Sequence, residues 1–294
     1  MMSRRKLLQA GFSAMARLVV SRRYAMGAAN RSAEFNDKCK YLESASGGRL
    51  GVAMRNTRTG ARFGYREDER FPMCSTSKLL TVGAVLTRVD QGKERLNRTV
   101  RFSKSDLVAY SPATENRVAQ GMSIEELCAA AMTLSDNTAA NLLLATIGGP
   151  PGFTQFARSI GDNVTRLDRN EPNLNQALLG DPRDTTSPAA IMMDMGTLVL
   201  GDQLSVASRR LLKHWLVANT TGDKRLRAGV PKNWKLGDKT GSGNHGTAND
   251  VAILWPPNHA PLLAAVYLTG TTVDSTAREA AIAGVGRLIP LLLG

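Results

Sequence analysis

The segment Cys-Ser-Thr-Ser-Lys-Leu-Leu places a hydroxyl and an amine three positions apart at the start of an apolar run. Residues i and i+3 lie on the same side of a helix, so the Lys78 amine can reach the Ser75 hydroxyl. A serine hydroxyl is a weak nucleophile that needs a base at that distance, and the free N–H groups of a helix start can stabilise an oxyanion. A simpler interpretation also fits: Ser75 caps a helix and Lys78 is solvated.

Three other short segments carry polar side chains of the kinds that acyl transfer needs. Alone, each has an ordinary structural interpretation as a helix cap, a solvated loop or a strand edge. The residues are Ser135 and Asn137 before an alanine-rich helical segment, Glu171 and Asn175 in a long polar segment, and Lys239 and Thr240 on an apparent strand that ends in Gly-Ser-Gly.

The composition is that of a globular protein without a nucleic-acid site. With 294 residues, 43% of them hydrophobic, the chain can bury a sizeable core in one domain or in two interleaved lobes. The formal net charge is +13, but seven of the 38 basic residues and no acidic residue precede Ala33. The remainder has 31 basic and 25 acidic residues, a net charge of +6. No later segment has a clustered basic face with interleaved aromatics, so no nucleic-acid partner is expected.

Residues 1–29 have the features of a bacterial export signal. The paired arginines Arg4 and Arg5 precede a weakly apolar stretch and the small residues Gly27-Ala28-Ala29, a pattern typical of the twin-arginine type. A basic disordered tail is the alternative, because further arginines interrupt the apolar stretch. No other segment has the ~20 consecutive apolar residues of a membrane-spanning helix. We therefore expect a periplasmic protein, monomeric and free of the membrane once the signal is removed.

The elements that must position the polar side chains change type along the chain. Residues 49–66 have the pattern of a hairpin, residues 75–216 are largely helical, and three further strands and a closing helix follow. Strands at both ends with helices between them predict an α+β fold. This fold has a five-stranded antiparallel sheet built from both termini with flanking helices, and an inserted all-helical lobe.

The same pattern predicts the boundaries of two lobes. Residues 30–73 and 218–294 would form the sheet-containing lobe, and residues 74–217 would form the helical lobe, with a cleft between the lobes as the natural place for a small-molecule site. The clearest helices are predicted at Ser75–Gln91, Ser123–Ala131, Asn137–Ile147, Pro188–Leu198 and Ser275–Leu293.

Cysteine and histidine spacing predicts neither a metal site nor a cofactor. The cysteines form no C-x-x-C pair and the histidines form no H-x-H or H-E-x-x-H pattern. Cys74 adjoins Ser75, but a small buried residue is its expected role. The residues concerned are Cys39, Cys74, Cys128, His214, His245 and His259.

Taken together, the motifs S-x-x-K, S-D-N, E-x-x-x-N and K-T-G, in this order and spacing, resemble those of the class A serine β-lactamases. The resemblance covers nearly the whole chain after residue 29. It implies a β-lactamase/transpeptidase-like fold and hydrolysis of the β-lactam amide bond of penicillins and cephalosporins through a serine acyl-enzyme. Such an enzyme would give antibiotic resistance and would need no cofactor.

The resemblance also implies a role for each matching residue. Ser75 would attack the lactam carbonyl, Lys78 would serve in the proton relay, and Ser135 would pass a proton to the lactam nitrogen. Glu171 would be the general base for release of the acyl group, with Asn175 helping to hold the water. Whether Lys78 or Glu171 takes the proton from Ser75 during acylation stays open.

Further residues would bind the substrate or hold the site together. Lys239 and Thr240 would bind the substrate carboxylate, Asn137 the side-chain amide, and the backbone N–H groups of Ser75 and Ser242 the oxyanion. The remaining positions implied by the resemblance are Tyr110 at the cleft entrance, Arg225 as a second cation for the carboxylate, and Arg169 with Asp184 as the ion pair that closes the Ω-loop at about residues 166–184.

Two alternatives and one restriction accompany this interpretation. A penicillin-binding DD-peptidase shares the acyl-transfer motifs but has no water-activating loop, so Glu171 argues against it. A non-catalytic cell-wall binding protein would fit the sequence pI of about 10.1 but would not need four catalytic motifs. Some carbapenem-hydrolysing members join the cysteine before the nucleophile to one just past K-T-G, where this chain has Gly243. The substrates expected are therefore penicillins and cephalosporins.

Overall fold

A computed structural model describes residues 30–293, and the predicted export signal at residues 1–29 lies outside them. The first helix, α1, covers residues 30–46. The other helices are α2 Ser77–Asp90, α3 Ile124–Thr133, α4 Asn137–Thr146, α5 Gly149–Ser159, α6 Pro188–Val199, α7 Val206–Val217, α8 Leu226–Gly229 and α9 Ser275–Gly286. The strands are β1 Arg49–Asn56, β2 Arg62–Tyr65, β3 Phe71–Pro72, β4 Thr99–Val100, β5 Met122–Ser123, β6 Thr185–Thr186, β7 Lys235–Gly243, β8 Thr247–Trp255 and β9 Leu262–Thr269.

The main sheet joins the two ends of the described chain. Its strand order is β2-β1-β9-β8-β7, and all neighbours are antiparallel. β1 pairs with β9 from Arg49 opposite Thr269 to Asn56 opposite Leu262. The predicted fold class, a five-stranded antiparallel sheet built from both termini with flanking helices, is confirmed.

Both faces of this sheet are buried. Along β1, Val52 and Met54 pack with α1, α8 and α9, whereas Ala53 faces the helices on the opposite side. The alternation follows from the two-residue period of a strand. On the second side, α2 is buried along residues 77–86, as expected for a central helix. Each fully buried leucine in these cores contributes about 1.5–3 kcal/mol.

The observed helices differ from the predicted ones in three places. α2 begins at Ser77, because a 3-10 turn at Cys74–Thr76 precedes it. The closing helix ends at Gly286 and a separate 3-10 turn follows at Ile289–Leu293. The sequence did not single out α5 or α7: α5 begins with Gly-Pro-Pro, which resembles a loop although proline is well tolerated in the first helical turn.

Two further predictions concern membrane-spanning helices and the boundaries of the lobes. Among residues 30–293, no helix is long and apolar enough to cross a membrane. The division into lobes at residues 73/74 and 217/218 stays a prediction, since the strand pairs and the cores describe the packing without assigning boundaries.

A pair of buried carboxyl groups joins α6 to the loop after α5. The Asp162 and Asp194 side chains are 7% and 3% exposed, and no described donor reaches the Oδ2 atom of either. Asp162 Oδ1 accepts the backbone N–H groups of Val164 at 2.7 Å and Thr165 at 3.0 Å. Burial, followed by the nearby Asp162, raises the pKa of Asp194 well above its usual value, although Arg158 opposes the shift. The folded structure therefore favours the protonated form of Asp194.

Asp194→Asn is expected to stabilise the protein at neutral pH. The pKa of Asp194 rises on folding, so its contribution to the free energy of unfolding is complete only below the unfolded pKa of 3.8. This contribution is lost as the pH rises toward the folded pKa. The asparagine amide removes this dependence and gives Asp162 a donor, a gain of about 1–3 kcal/mol. Urea unfolding at pH 7.5 and pH 4 measures the difference in the free energy of unfolding between variant and parent, which should be smaller at pH 4.

The matched control for this prediction is Asp202→Asn at a solvated aspartate. Its side chain is fully exposed, so the change in the free energy of unfolding should stay within about 0.5 kcal/mol at both pH values. An Asp194→Asn variant that is less stable than the parent at pH 7.5 would show that the interaction between the two carboxyl groups does not destabilise the fold.

Candidate active site

The serine and lysine of the opening segment face each other at the start of α2. Ser75 lies in the 3-10 turn and Lys78 in the first turn of the helix, and both side chains are almost completely buried. Lys78 Nζ donates to Ser75 Oγ at 2.7 Å, and Ser75 Oγ donates to Glu171 Oε1 at 3.2 Å. Thr76 occupies the cap position without a side-chain cap bond. The Ser75 hydroxyl is thus held between an amine and a carboxylate and does not cap the helix.

The Lys78 amine lies at the centre of a shell of oxygens. Nζ donates to Asn137 Oδ1 at 2.6 Å and to the Ser135 carbonyl at 2.9 Å, and it lies 3.0 Å from Glu171 Oε1. Burial lowers the pKa of Lys78, while the Glu171 carboxylate opposes that shift. A lowered pKa brings the amine closer to the neutral form that can accept a proton. The surroundings of Lys78 therefore suit a proton carrier.

The Ser135 hydroxyl lies between two amines from different parts of the chain. Lys239 Nζ donates to Ser135 Oγ at 3.1 Å, and Lys78 Nζ lies 3.3 Å from the same oxygen. The backbone of Ser135 is left-handed with φ +60°, and the neighbouring Asp136 caps α4 through the Ala139 N–H. Burial, followed by repulsion from Lys78, lowers the pKa of Lys239 to about 7. Hydrogen bonds thus connect the Lys78 amine, the Ser135 hydroxyl and the Lys239 amine.

Two asparagines fix Glu171, one at its carboxylate and one at its backbone. Asn175 Nδ2 donates to Glu171 Oε2 at 2.5 Å, which holds the side chain against the 3-10 turn at Asn173–Asn175. Asn141 accepts the Glu171 backbone N–H and donates to the Glu171 carbonyl, both at 2.9 Å. Sequence reasoning missed Asn141. Its position four residues after Asn137 on the same helix was the available signal.

The loop that carries Glu171 is closed by the pair expected from the sequence. Arg169 Nε lies 2.5 Å from Asp184 Oδ2, and the Asp184 side chain is only 1% exposed. Asp184 Oδ1 also accepts the backbone N–H groups of Asp168 and Arg169 at 2.7 and 2.9 Å. The Asp184 carbonyl accepts the N–H of Met73, two residues before Ser75. These bonds connect the base of the loop to the segment that carries the nucleophile.

The strand β7 forms the other wall of the site. A side chain at Gly241 would place its Cβ 2.7 Å from the Met73 carbonyl oxygen and 3.2 Å from the Ser75 backbone nitrogen. Glycine at this position therefore lets β7 approach the nucleophile closely. The preceding Thr240 bonds to Thr221 through the two hydroxyls, and Lys239 is completely buried.

Arg225 contacts β7 and β8 through hydrogen bonds from both terminal nitrogens of its guanidinium. Nη1 donates to the carbonyl oxygens of Gly241 at 2.8 Å and Asn249 at 2.7 Å, and Nη2 donates to Ser242 Oγ at 2.7 Å. The side chain is 7% exposed, and burial lowers its pKa. Arg227 bonds instead to Asp238. Of the two arginines, Arg225 is the one that lies beside Ser242.

Tyr110 lies at the outer edge of the site and Cys74 at its floor. Tyr110 is 61% exposed with φ +64°, and its carbonyl accepts the Asn137 N–H at 2.9 Å. Cys74 is fully buried and unpaired, and burial raises the pKa of its thiol. A Cβ at Gly243 would lie 2.6 Å from Cys74 Sγ. Within residues 30–293, no group of three or more His, Cys, Asp or Glu side chains could hold a metal ion.

The model of the beta-lactamase enzyme family matches residues 34–290. A beta-lactamase of Proteus vulgaris is 50% identical over 251 residues, which are 85% of this chain and 84% of the relative. Beta-lactamase Toho-1 of Escherichia coli is 50% identical over 248 residues, 84% of this chain and 85% of that enzyme.

Solved structures agree with these sequence matches. The reconstructed last common ancestor of the class A beta-lactamases of Gram-negative bacteria superimposes with a TM-score of 0.87 and 62% identity. The match covers 88% of this chain and 99% of the ancestral one. Because the fold, the order of the four motifs and the similarity over most of the chain all agree, the chain belongs to the class A β-lactamases.

Proposed function

We propose that this protein hydrolyses the β-lactam amide bond of penicillins and cephalosporins through an acyl-enzyme on Ser75. The observation that carries the proposal is the position of Ser75 Oγ, within hydrogen-bonding distance of both Lys78 Nζ and Glu171 Oε1. Nucleophile, amine and carboxylate are the groups that serine acylation and ester hydrolysis need in turn. An enzyme of this kind gives its host resistance to β-lactam antibiotics.

Acylation begins when Ser75 Oγ loses its proton and attacks the lactam carbonyl carbon. The negative charge that develops on the carbonyl oxygen is received by the backbone N–H groups of Ser75 and Ser242, and one such donor is typically worth ~3 kcal/mol. When the C–N bond breaks, Ser135 gives its proton to the lactam nitrogen, and the Lys78 amine restores that proton. Lys78 and Glu171 both lie close enough to take the first proton, so the identity of the acylation base stays open.

Deacylation is assigned to Glu171 and Asn175. Glu171 takes a proton from a water molecule as its oxygen attacks the ester carbonyl; the bond between that carbon and Ser75 Oγ then breaks, and Ser75 Oγ receives the proton held by Glu171. Asn175 holds the carboxylate and presents its side chain to the same water. The Arg169–Asp184 ion pair fixes the loop around Glu171 and has a structural role.

The substrate carboxylate is assigned to the wall formed by β7. Lys239 supplies a point charge, Thr240 and Ser242 supply hydroxyls, and Arg225 supports Ser242 from behind with a second positive charge. The substrate's side-chain amide is assigned to Asn137. Its Nδ2 donates to the Ala109 carbonyl, and this bond fixes the orientation of the side chain. Tyr110, with its exposed ring, forms the aromatic edge of the entrance.

The cellular setting is part of the same proposal. Residues 1–29 direct export, and the mature enzyme acts as a monomer in the periplasm, where β-lactams pass. The sheet-containing lobe at residues 30–73 and 218–294 and the helical lobe at residues 74–217 enclose the cleft. N-terminal sequencing of the enzyme from a periplasmic fraction tests the export assignment, and an intact N-terminus there would contradict it.

Steady-state hydrolysis by the purified mature enzyme tests the function. We expect efficient hydrolysis of a penicillin, measurable hydrolysis of an oxyimino-cephalosporin and poor turnover of a carbapenem, because Gly243 cannot form a disulfide with Cys74. A DD-peptidase would be acylated by the penicillin without turning over. Carbapenem turnover equal to penicillin turnover would overturn the argument from Gly243, and no turnover of any substrate would overturn the proposed function.

A further inference from the structure

A basic groove lies between the C-terminal half of α7 and the edge strand β7, away from the proposed active site. Its volume is about 440 Å³, within the usual range of small-ligand sites. Lys235 lies four residues before Lys239, so about 13 Å of strand separates it from the lysine assigned to the substrate carboxylate. The groove is lined by Arg210, Lys213, His214, Val217, Lys235 and Trp255.

The charged side chains of this groove all have the same sign. No acidic residue lines it, and within residues 30–293 none of Arg210, Lys213 and Lys235 takes part in an ion pair. The neighbouring Arg209, by contrast, lies 3.8 Å from Asp202. Burial and repulsion from Arg209 lower the pKa of Lys213, as expected where positive charges are crowded together. A concave surface lined by one sign of charge attracts ions of the opposite sign.

An aromatic wall completes the groove. Lys235 and Trp255 are direct cross-strand partners, and Lys235 Nζ lies 5.9 Å from the centre of the indole ring. Trp255 is half-buried, which leaves part of its ring facing the groove. The edge of β7 therefore offers one amine and one aromatic face, and α7 offers a guanidinium and a second amine on the opposite side.

We propose that this groove binds a phosphate-bearing anion, with the phosphate between Lys213, Lys235 and Arg210. Lysine binds phosphate as a point charge and arginine binds it with two parallel N–H donors, so three such side chains suit a tetrahedral group with two or more negative charges. The anion would replace the missing acidic partners. The chain from Ala33 onward has a net charge of +6, and this groove contains three of its unpaired positive charges.

Isothermal titration with inorganic tripolyphosphate, at fixed ionic strength, tests the proposal. Lys213→Glu/Lys235→Glu should weaken binding by about tenfold or more, and Lys213→Arg/Lys235→Arg should retain it. The charge-matched control is Arg58→Glu/Arg101→Glu, two exposed arginines on other elements, which should change the affinity by less than about twofold. Penicillin hydrolysis should be unchanged in every variant, and a thermal melt confirms that each is folded.

Vesicles distinguish the two sources of a phosphate group. If the protein co-sediments with phosphatidylglycerol vesicles and tripolyphosphate abolishes this co-sedimentation, the ligand is a lipid headgroup. If the protein binds tripolyphosphate but does not co-sediment with the vesicles, the ligand is a free phosphate compound. Equal loss of affinity in the groove and control variants would mean that overall charge alone attracts the anion, and would overturn the proposal. An absence of tripolyphosphate binding together with an absence of co-sedimentation would overturn it as well.

Discussion

Glu171→Ala is expected to convert the enzyme into one that is acylated by penicillin but scarcely turns over. The acyl-enzyme is an ester, and its hydrolysis needs a base that activates water, the role that we propose for Glu171. Loss of a general base typically costs 10²- to 10⁴-fold, so kcat should fall by about that factor. Intact-protein mass spectrometry should show the covalent adduct persisting, and pre-steady-state kinetics should show a burst close to one equivalent.

The same variant also addresses the base for acylation. Glu171 Oε1 and Lys78 Nζ both contact Ser75 Oγ, at 3.2 and 2.7 Å, so geometry permits either to take the proton. If Lys78 is the base, the burst in Glu171→Ala stays fast; if Glu171 is the base, the burst slows with the turnover. Glu115→Ala, at an exposed glutamate in a different loop, is the matched control. Wild-type turnover in Glu171→Ala would show that Glu171 is not the deacylation base.

Ser75→Ala is expected to abolish both covalent labelling and turnover. Removing the hydroxyl leaves no atom to form the ester, and loss of a serine nucleophile costs at least about 10⁴-fold. The fold should survive, because Lys78 Nζ keeps its contacts with Ser135, Asn137 and Glu171. Incubation with a fluorescent penicillin, followed by denaturing electrophoresis, shows whether the label attaches.

Ser77→Ala provides a close control for that experiment. Ser77 is equally buried two residues further along, and its carbonyl rather than its hydroxyl makes the contact with Thr81. This variant should label and turn over like the parent enzyme. Labelling of Ser75→Ala at the parent's rate would show that the nucleophile is a residue other than Ser75. If the parent enzyme itself shows no labelling and no turnover, the result would favour a non-catalytic binding protein.

The features that could be predicted from the sequence are those with a local signature. The contact between Ser75 and Lys78 follows from the i, i+3 geometry of a helix, and the order of strands and helices indicates the sheet. That Ser135, Glu171 and Lys239 would meet at Ser75 followed from the family resemblance, because no local pattern links segments so far apart. The family assignment and the fold class are confirmed by the comparisons.

The parts that escaped prediction depend on tertiary contacts. Asn141 has no motif of its own, and its role is apparent only once α4 lies against the loop that carries Glu171. Thr221 lies in a loop before α8 and reaches the site by its bond to Thr240. The carboxyl pair of Asp162 and Asp194 is likewise invisible in sequence, since it forms when α6 packs against the loop after α5. Propensity and spacing carry little information about such contacts.

The pairing of β1 with β9 has a consequence for how the enzyme comes into being. The two strands are neighbours in the sheet although about 200 residues separate them in the chain. Bringing the ends of this long segment together costs conformational entropy before the pairing of the strands stabilises the sheet. A nascent chain cannot complete this sheet until β9 has left the ribosome. Antibiotic hydrolysis should therefore appear only after synthesis has passed residue 269, and fragments that end before β9 should expose the apolar face of β1 and aggregate.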